Sequence, residues 1–171
     1  MILLDPDLDP DPSHHGRTLS ARALTRFLAD AQAAVRLRGE VSVLLTTDRK
    51  IRRLNRTYRG KDKATDVLSF PAESFIEKQE NIAGDLAISV DTAQKQGIAC
   101  GHPLGAEIKV LMLHGLLHLA GYDHEQDDGR MARRERQLRA RFGLPQGLIE
   151  RTQTNRKSRP KVHPTVGGRL R

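Results

Sequence analysis

The sequence contains few of the residues that build aromatic surfaces, disulfide frameworks or membrane spans. It has no Trp and only six Phe and Tyr residues among 171, so nucleic-acid binding through a broad aromatic face is poorly supported. The single cysteine, Cys100, rules out an internal disulfide framework and favours a reducing compartment. The longest apolar run, 110–120, is interrupted by two histidines and is shorter than the roughly 20 residues of a membrane-spanning helix. The first residues do not resemble an export signal, so we expect a cytoplasmic protein with no membrane partner.

Positive charge is in excess and is unevenly distributed. The chain has 29 Lys and Arg against 21 Asp and Glu, a net charge of +8, which favours contact with a polyanion. Residues 1–15 contain four aspartates and no basic residue, whereas residues 151–171 contain seven basic residues and no acid. We expect an acidic, disordered N-terminal segment (1–15), one domain (16–150) and a basic, disordered C-terminal tail (151–171). The tail is either a solvated end or a contact for a phosphate backbone.

Hydrophobic spacing predicts alternating strands and helices, and therefore a compact α+β domain. Strands are predicted at 41–46, 67–70 and 86–90. Helices are predicted at 20–37, from Asp48 to Gly60, from Asp91 to Gly97, at 106–120, and from Asp127 or Asp128 to 142. Asp48 and Asp91 are the expected N-caps, and Tyr58 is expected on the inward face of its helix.

The segment HGLLHLAGYDH, residues 114–124, has the spacing of a metal site. His114 and His118 are four residues apart, which places both imidazoles on one face of a helix. Gly121 permits a sharp turn that returns His124 to the other two. Three neutral imidazoles leave one tetrahedral position open, as in catalytic zinc sites. Zinc is the favoured ion, although nickel, cobalt and copper also suit imidazole ligands.

The same spacing occurs in the metzincin proteases, with one difference. Those enzymes have a glutamate general base directly after the first histidine, and this chain has Gly115. A peptidase would lack the group that takes a proton from water and passes it to the leaving amine. The sequence therefore argues against proteolysis.

Three motifs in order resemble the YbeY family of bacterial endoribonucleases: NRTYRGKDKATDVLSFP (55–71), GDLAIS (84–89) and HGLLHLAGYDH (114–124). The similarity covers about residues 41–144, with Ala64 standing where a proline is common. It implies a mixed four-stranded sheet with about five or six helices. It also implies one zinc ion, single-stranded RNA cleavage, 16S rRNA 3′-end maturation and ribosome quality control. The implied partners are the 16S rRNA precursor and ribosomal particles or a ribosomal protein, and no DNA.

The resemblance also assigns residues of the site. It makes the three histidines the zinc ligands and Arg59 the basic residue of the active-site cleft, a role that suits a guanidinium facing phosphate oxygens. Lys61 is a candidate phosphate contact in the same basic loop. Three acids could orient a ligand or a water molecule, or could act only as helix caps and turn residues: Asp85, Glu107 and Asp123.

Two questions stay open at the level of sequence. The attacking group is either water, which can leave a 3′-hydroxyl and a 5′-phosphate, or the 2′-hydroxyl of the RNA, which gives a 2′,3′-cyclic phosphate. No general base is evident for the first route. The alternative function is a ribosome assembly or binding factor with a mainly structural zinc.

Overall fold

The computed structural model describes residues 1–8, 19–72, 81–124 and 126–145, which contain both strands and helices. The described residues form four strands: β1 (Ile2–Leu4), β2 (Glu40–Thr46), β3 (Val67–Pro71) and β4 (Ile82–Ser89). They also form five helices: α1 (Ala21–Val35), α2 (Asp48–Arg59), α3 (Val90–Cys100), α4 (Leu104–Leu119) and α5 (Arg130–Phe142). The expected basic tail, 151–171, lies outside the described residues.

The four strands form one mixed sheet in the order β1, β2, β4, β3. β2 is parallel to both of its neighbours, with Val43 opposite Ile2 on one side and Leu86 on the other. β3 is antiparallel to β4 and forms the far edge, where Phe70 lies opposite Asp85. The predicted α+β fold with a mixed four-stranded sheet is therefore confirmed.

The start of the chain differs from the disordered acidic segment expected for residues 1–15. Residues 2–4 form strand β1 beside β2. Asp5 is only 3% exposed: it accepts a hydrogen bond from the Thr46 hydroxyl and lies 3.0 Å from the Lys50 ammonium. These residues are ordered for two reasons. The apolar residues 2–4 pair with the free edge of β2, and the nearby Lys50 compensates the charge of the buried Asp5 carboxylate. Residues 9–15 lie outside the described part of the chain.

Hydroxyl side chains cap the two helices for which the sequence predicts aspartate caps. Thr47 and Ser89 are the N-caps of α2 and α3, and each accepts a backbone N–H of the first turn. Asp48 and Asp91 lie in those first turns and link the two helices. The Asp91 carboxylate accepts the backbone N–H of Asp48 at 2.8 Å, and the Asp48 carboxylate accepts the Ser89 hydroxyl. The carboxyl ends of β2 and β4 are thereby held together.

Two glycines mark the ends of α2 and α3. Gly60 ends α2 in the left-handed conformation, as predicted. Gly97, the predicted end of α3, lies inside that helix instead, and Gly101 ends it with φ +74°. A single glycine does not stop a helix whose tertiary contacts continue, because its helix penalty is only about 1 kcal/mol.

Helix α4 lies at the centre of the main core, where it contacts β3, β4 and the helices α1, α3 and α5. Most of its side chains are buried around the whole circumference, including the fully buried Ile108, Leu111, Leu113, Leu116 and Leu117. A helix that is apolar on all sides is typical of a buried position. Among the described residues, no helix has the length and hydrophobicity needed to cross a membrane.

The opposite face of the sheet is only partly covered, by α2. Ile51 of that helix packs with Leu68 and Ala87 in a smaller cluster. Tyr58, which the sequence places on the inward face, is 67% exposed. The cause is position: Tyr58 lies two helical turns beyond Ile51, in the last turn of α2, where the side chain passes the edge of the cluster.

Candidate metal centre and active-site cleft

Three histidines converge at the end of α4. His114 and His118 lie one turn apart on the helix, and Gly121, with φ +87°, turns the chain so that His124 returns to them. One ring nitrogen from each lies within 4.8 Å of the others, and the Nε2 atoms of His114 and His118 are 3.2 Å apart. Two nitrogens bound to one tetrahedral zinc would be about 3.3 Å apart, given Zn–N bonds of about 2.0–2.1 Å. The spacing therefore suits a single ion.

The protonation of His118 also suits metal binding. Burial, together with the neighbouring imidazoles of His114 and His124, lowers the pKa of His118 to about 4. The ring is therefore neutral near pH 7, and its lone pair is available to a cation. His114 is buried, whereas His124 is exposed on the turn.

A buried glutamate on α5 orients the first histidine. Glu135 Oε1 lies 3.1 Å from His114 Nδ1, so this nitrogen donates and the Nε2 lone pair faces the other two histidines. Glu135 Oε2 is buried with no hydrogen-bond partner. An unpaired buried carboxylate oxygen is costly, and a cation held by the imidazoles would compensate its charge. The residues present therefore fit a divalent metal ion.

Sequence reasoning missed Glu135, although its position carries a signal. Met131 and Leu138 are buried on the inward face of α5, four residues before and three residues after Glu135. A carboxylate at the centre of an apolar helical stripe requires a partner inside the protein. The nearby three-histidine motif supplies that partner.

An open cleft of about 600 Å³ lies over the histidines. Arg59, the last residue of α2, and Lys61 of the following loop contribute to its wall, and the turn after α4 contributes Asp123. One guanidinium nitrogen of Arg59 donates to the Ser69 backbone carbonyl at 3.4 Å, which holds this exposed side chain along β3. The structure thus brings Arg59, Lys61 and Asp123 to the same cleft as the histidines.

Two other residues expected near the site lie elsewhere. Asp85 is exposed on the face of the sheet opposite α4, because side chains alternate along a strand and the adjacent Leu86 faces the helix. Glu107 is fully buried in the first turn of α4, paired with His102. Seven residues separate it from His114, about 10 Å along the helix. The structure does not place either acid beside the three histidines.

Close packing explains why Gly115 follows the first histidine. A Cβ at this position would lie 2.7 Å from Leu86 Cδ2 and 3.3 Å from Ser69 Oγ. Leu86 is 1% exposed and is held in the core, so it cannot move aside freely. Helix α4 approaches the sheet too closely for the glutamate that a metzincin peptidase needs at this position.

The chain matches known proteins over most of its length. The family model described as "Endoribonuclease YbeY" matches residues 13–143. A relative from Koribacter versatilis, named Endoribonuclease YbeY, is 49% identical over 134 residues, 78% of this chain and 85% of that protein. A protein of the same name from Solibacter usitatus is 49% identical over 137 residues, 80% of this chain and 89% of that protein.

A solved structure shares the fold. The solution structure of TM1509 from Thermotoga maritima is similar with a TM-score of 0.53 and 24% identity, covering 95% of this chain and 100% of that one. This likeness concerns the fold alone. The family match over residues 13–143, together with the identity to the curated relatives, shows that the chain belongs to the YbeY endoribonuclease family.

Proposed function

We propose that this protein is a metal-dependent endoribonuclease that cleaves single-stranded RNA, with one zinc ion as its cofactor. The observation that carries the proposal is the convergence of three imidazoles in a cleft whose wall also holds Arg59 and Lys61. A metal site combined with cations that can hold phosphate oxygens suits hydrolysis or transfer at phosphorus. The family of the chain supports RNA as the substrate.

Each residue of the cleft has a separate role in this proposal. Glu135 fixes the ring of His114, and the three histidines would hold the ion beside the cleft. Arg59 holds the non-bridging oxygens of the scissile phosphate, where negative charge grows in the transition state. Lys61 contacts a phosphate as a more mobile point charge. A divalent ion held by these residues would supply Lewis-acid chemistry at the phosphoryl group.

The attacking group distinguishes two versions of this proposal. Gly115 leaves no carboxylate at the position of the metzincin base. Attack by the 2′-hydroxyl would yield a 2′,3′-cyclic phosphate, whereas attack by water can leave a 5′-phosphate. Analysis of the product ends separates the two routes.

We place this activity in the cytoplasm, in 3′-end maturation of 16S rRNA and in ribosome quality control. In this proposal the catalytic domain comprises residues 16–150 together with strand β1, and the family match at 13–143 supports it. Ribosomal particles or a ribosomal protein would bring the enzyme to its substrate. The family resemblance supports this setting, and reconstitution with precursor 16S rRNA in ribosomal particles tests it directly.

One experiment tests the core of the proposal: metal content and cleavage of single-stranded RNA, measured for the wild type and three variants. His118→Ala should lose metal and cleavage, whereas Arg59→Glu should keep metal and lose cleavage. Arg22→Glu makes the same charge change at an exposed site on α1 and should behave as the wild type.

Three outcomes would count against the proposal. Undiminished cleavage in His118→Ala would refute the metal-centred mechanism. A metal-loaded wild type that binds ribosomal particles but leaves RNA intact would favour the assembly factor with a structural metal. Peptide cleavage that survives Arg59→Ala and is lost in His118→Ala would indicate a peptidase.

A further inference from the structure

A second groove lies on the opposite face of the sheet from the histidines. It has a volume of about 510 Å³ and lies between α2 and the part of the sheet that this helix leaves uncovered. Its floor includes a row of side chains across three strands, in which Asp85 of β4 lies between Ser42 of β2 and Phe70 of β3. Leu44 and Leu54 add apolar walls.

An aromatic pair forms one side of this groove. The Tyr58 and Phe70 rings contact edge to face, with centroids 5.2 Å apart and an interplanar angle of 68°. Tyr58 is 67% exposed, in a chain with only six Phe and Tyr residues and no Trp. Phe27 and Phe142, by contrast, form an aromatic pair in which Phe27 is buried in the core and Phe142 is partly buried against it. A large exposed aromatic beside an apolar hollow marks a surface for binding.

The groove and the active-site cleft share one wall. Tyr58 lines the groove, and the next residue, Arg59, lines the cleft. On β3, Ser69 lines the cleft and the next residue, Phe70, lines the groove. Consecutive Cα atoms are about 3.8 Å apart, so a ligand chain of a few units can reach both hollows across the edge of β3.

The charges around this wall favour a polyanion with flat, uncharged side groups. Helix α2 exposes Arg53 and Arg56 in addition to Arg59, and these three cations suit a phosphate backbone. Arg52 is also exposed, but it is paired with Asp62 at 2.9 Å. The floor of the groove instead offers apolar surface, two rings and the exposed carboxylate of Asp85. A carboxylate repels phosphate but accepts hydrogen bonds from the exocyclic amino group of a base.

We propose that this groove binds one unstacked base of the RNA strand whose scissile phosphate lies in the cleft. The base stacks on the Tyr58 and Phe70 pair, and Asp85 accepts a hydrogen bond from its amino group, which favours cytosine, adenine or guanine over uracil. The inference rests on the proposed function, because the RNA in the cleft supplies the base. It assigns Tyr58, Phe70 and Asp85 to substrate binding rather than to the metal site.

Cleavage of short single-stranded RNA by the metal-loaded full chain tests the proposal. Tyr58→Ala should raise KM between about fivefold and 150-fold, which corresponds to the stacking of one base on an aromatic ring, and should change kcat much less. Tyr58→Phe keeps the ring and should restore the wild-type KM. Asp85→Asn should reduce the preference for the amino-bearing base over uracil.

An abasic scan separates base binding from a structural effect. In the wild type, removing the base at one position of the oligonucleotide should raise KM, and in Tyr58→Ala removal at that position should have no further effect. An unchanged KM in Tyr58→Ala, or the same abasic penalty in both proteins, would overturn the proposal and leave the groove to a protein contact. A wild type that cleaves no RNA would instead contradict the proposed function itself.

Discussion

Replacing Glu135 should weaken metal binding while the fold is kept. Its carboxylate is 1% exposed and lies 3.1 Å from His114 Nδ1, so it fixes the ring and increases the basicity of the other nitrogen. Loss of such a partner lowers metal affinity about 10- to 100-fold, or about 1.4–2.7 kcal/mol. Glu135→Gln keeps a neutral acceptor, so its loss of metal affinity should be near the lower end of this range. Glu135→Leu removes the acceptor, so its loss of metal affinity should be near the upper end.

The measurement is the zinc dissociation constant by competition with a chromophoric chelator at pH 7. Glu107→Gln is the matched control, because it changes another buried glutamate that contacts a histidine, close to the start of α4. This variant should keep the wild-type zinc affinity, whatever it does to stability. Equal affinities for Glu135→Leu and the wild type would refute the role of Glu135. An equal loss in Glu107→Gln would show that any buried carboxylate of the fold has this effect.

Two further predictions concern stability. Burial raises the pKa of Asp5, but hydrogen bonds from Thr46 and a backbone N–H, with the nearby Lys50, outweigh it and lower the pKa from 3.8 to about 2. The ionised carboxylate of Asp5 therefore stabilises the fold above about pH 4, by about 1–2 kcal/mol after solvent screening. This stabilisation is lost as the pH falls towards 2. Asp5→Asn should flatten the fall in urea-unfolding free energy over this range, and an unchanged slope would contradict the assignment. Gly115→Ala should lower the free energy of unfolding by about 1–3 kcal/mol, because the added Cβ overpacks the contact between α4 and the sheet. Gly105→Ala is the control and should not lower it, because a Cβ there meets open space. Equal effects of the two substitutions would count against the close packing of α4.

The sequence predicts those parts of the fold that local patterns encode. The order of helices and strands follows from hydrophobic periodicity, and Gly60 and Gly121 occupy the left-handed turns expected of them. Strand β1 could not be predicted, because three apolar residues have no periodicity and form a strand only beside β2. The N-caps Thr47 and Ser89 could not be predicted, because an aspartate that suits the same role follows each of them one or two residues later. Only the tertiary hydrogen bonds distinguish the two possibilities.

The candidate site was predictable to the extent that it is local in sequence. The three histidines fall within eleven residues, so helix geometry and the turn at Gly121 bring them together. Glu135 contacts His114 from another helix, a tertiary contact that the sequence does not reveal. Nor does the sequence reveal which residues of β4 face α4, and Asp85 lies on the opposite face of the sheet from the histidines. The exposed position of Tyr58 depends on how far the sheet extends beneath α2, a property of packing rather than of the helix itself.

The three histidines are held with unequal rigidity. His114 and His118 belong to a helix at the centre of the core, whereas His124 is exposed on the turn that follows. The two helical ligands are ordered by folding itself, so the entropy of organising the site falls mainly on the third. Exchange of the ion should therefore begin at His124, and the rate of metal release would be a property of the turn, while the affinity depends on the whole helix.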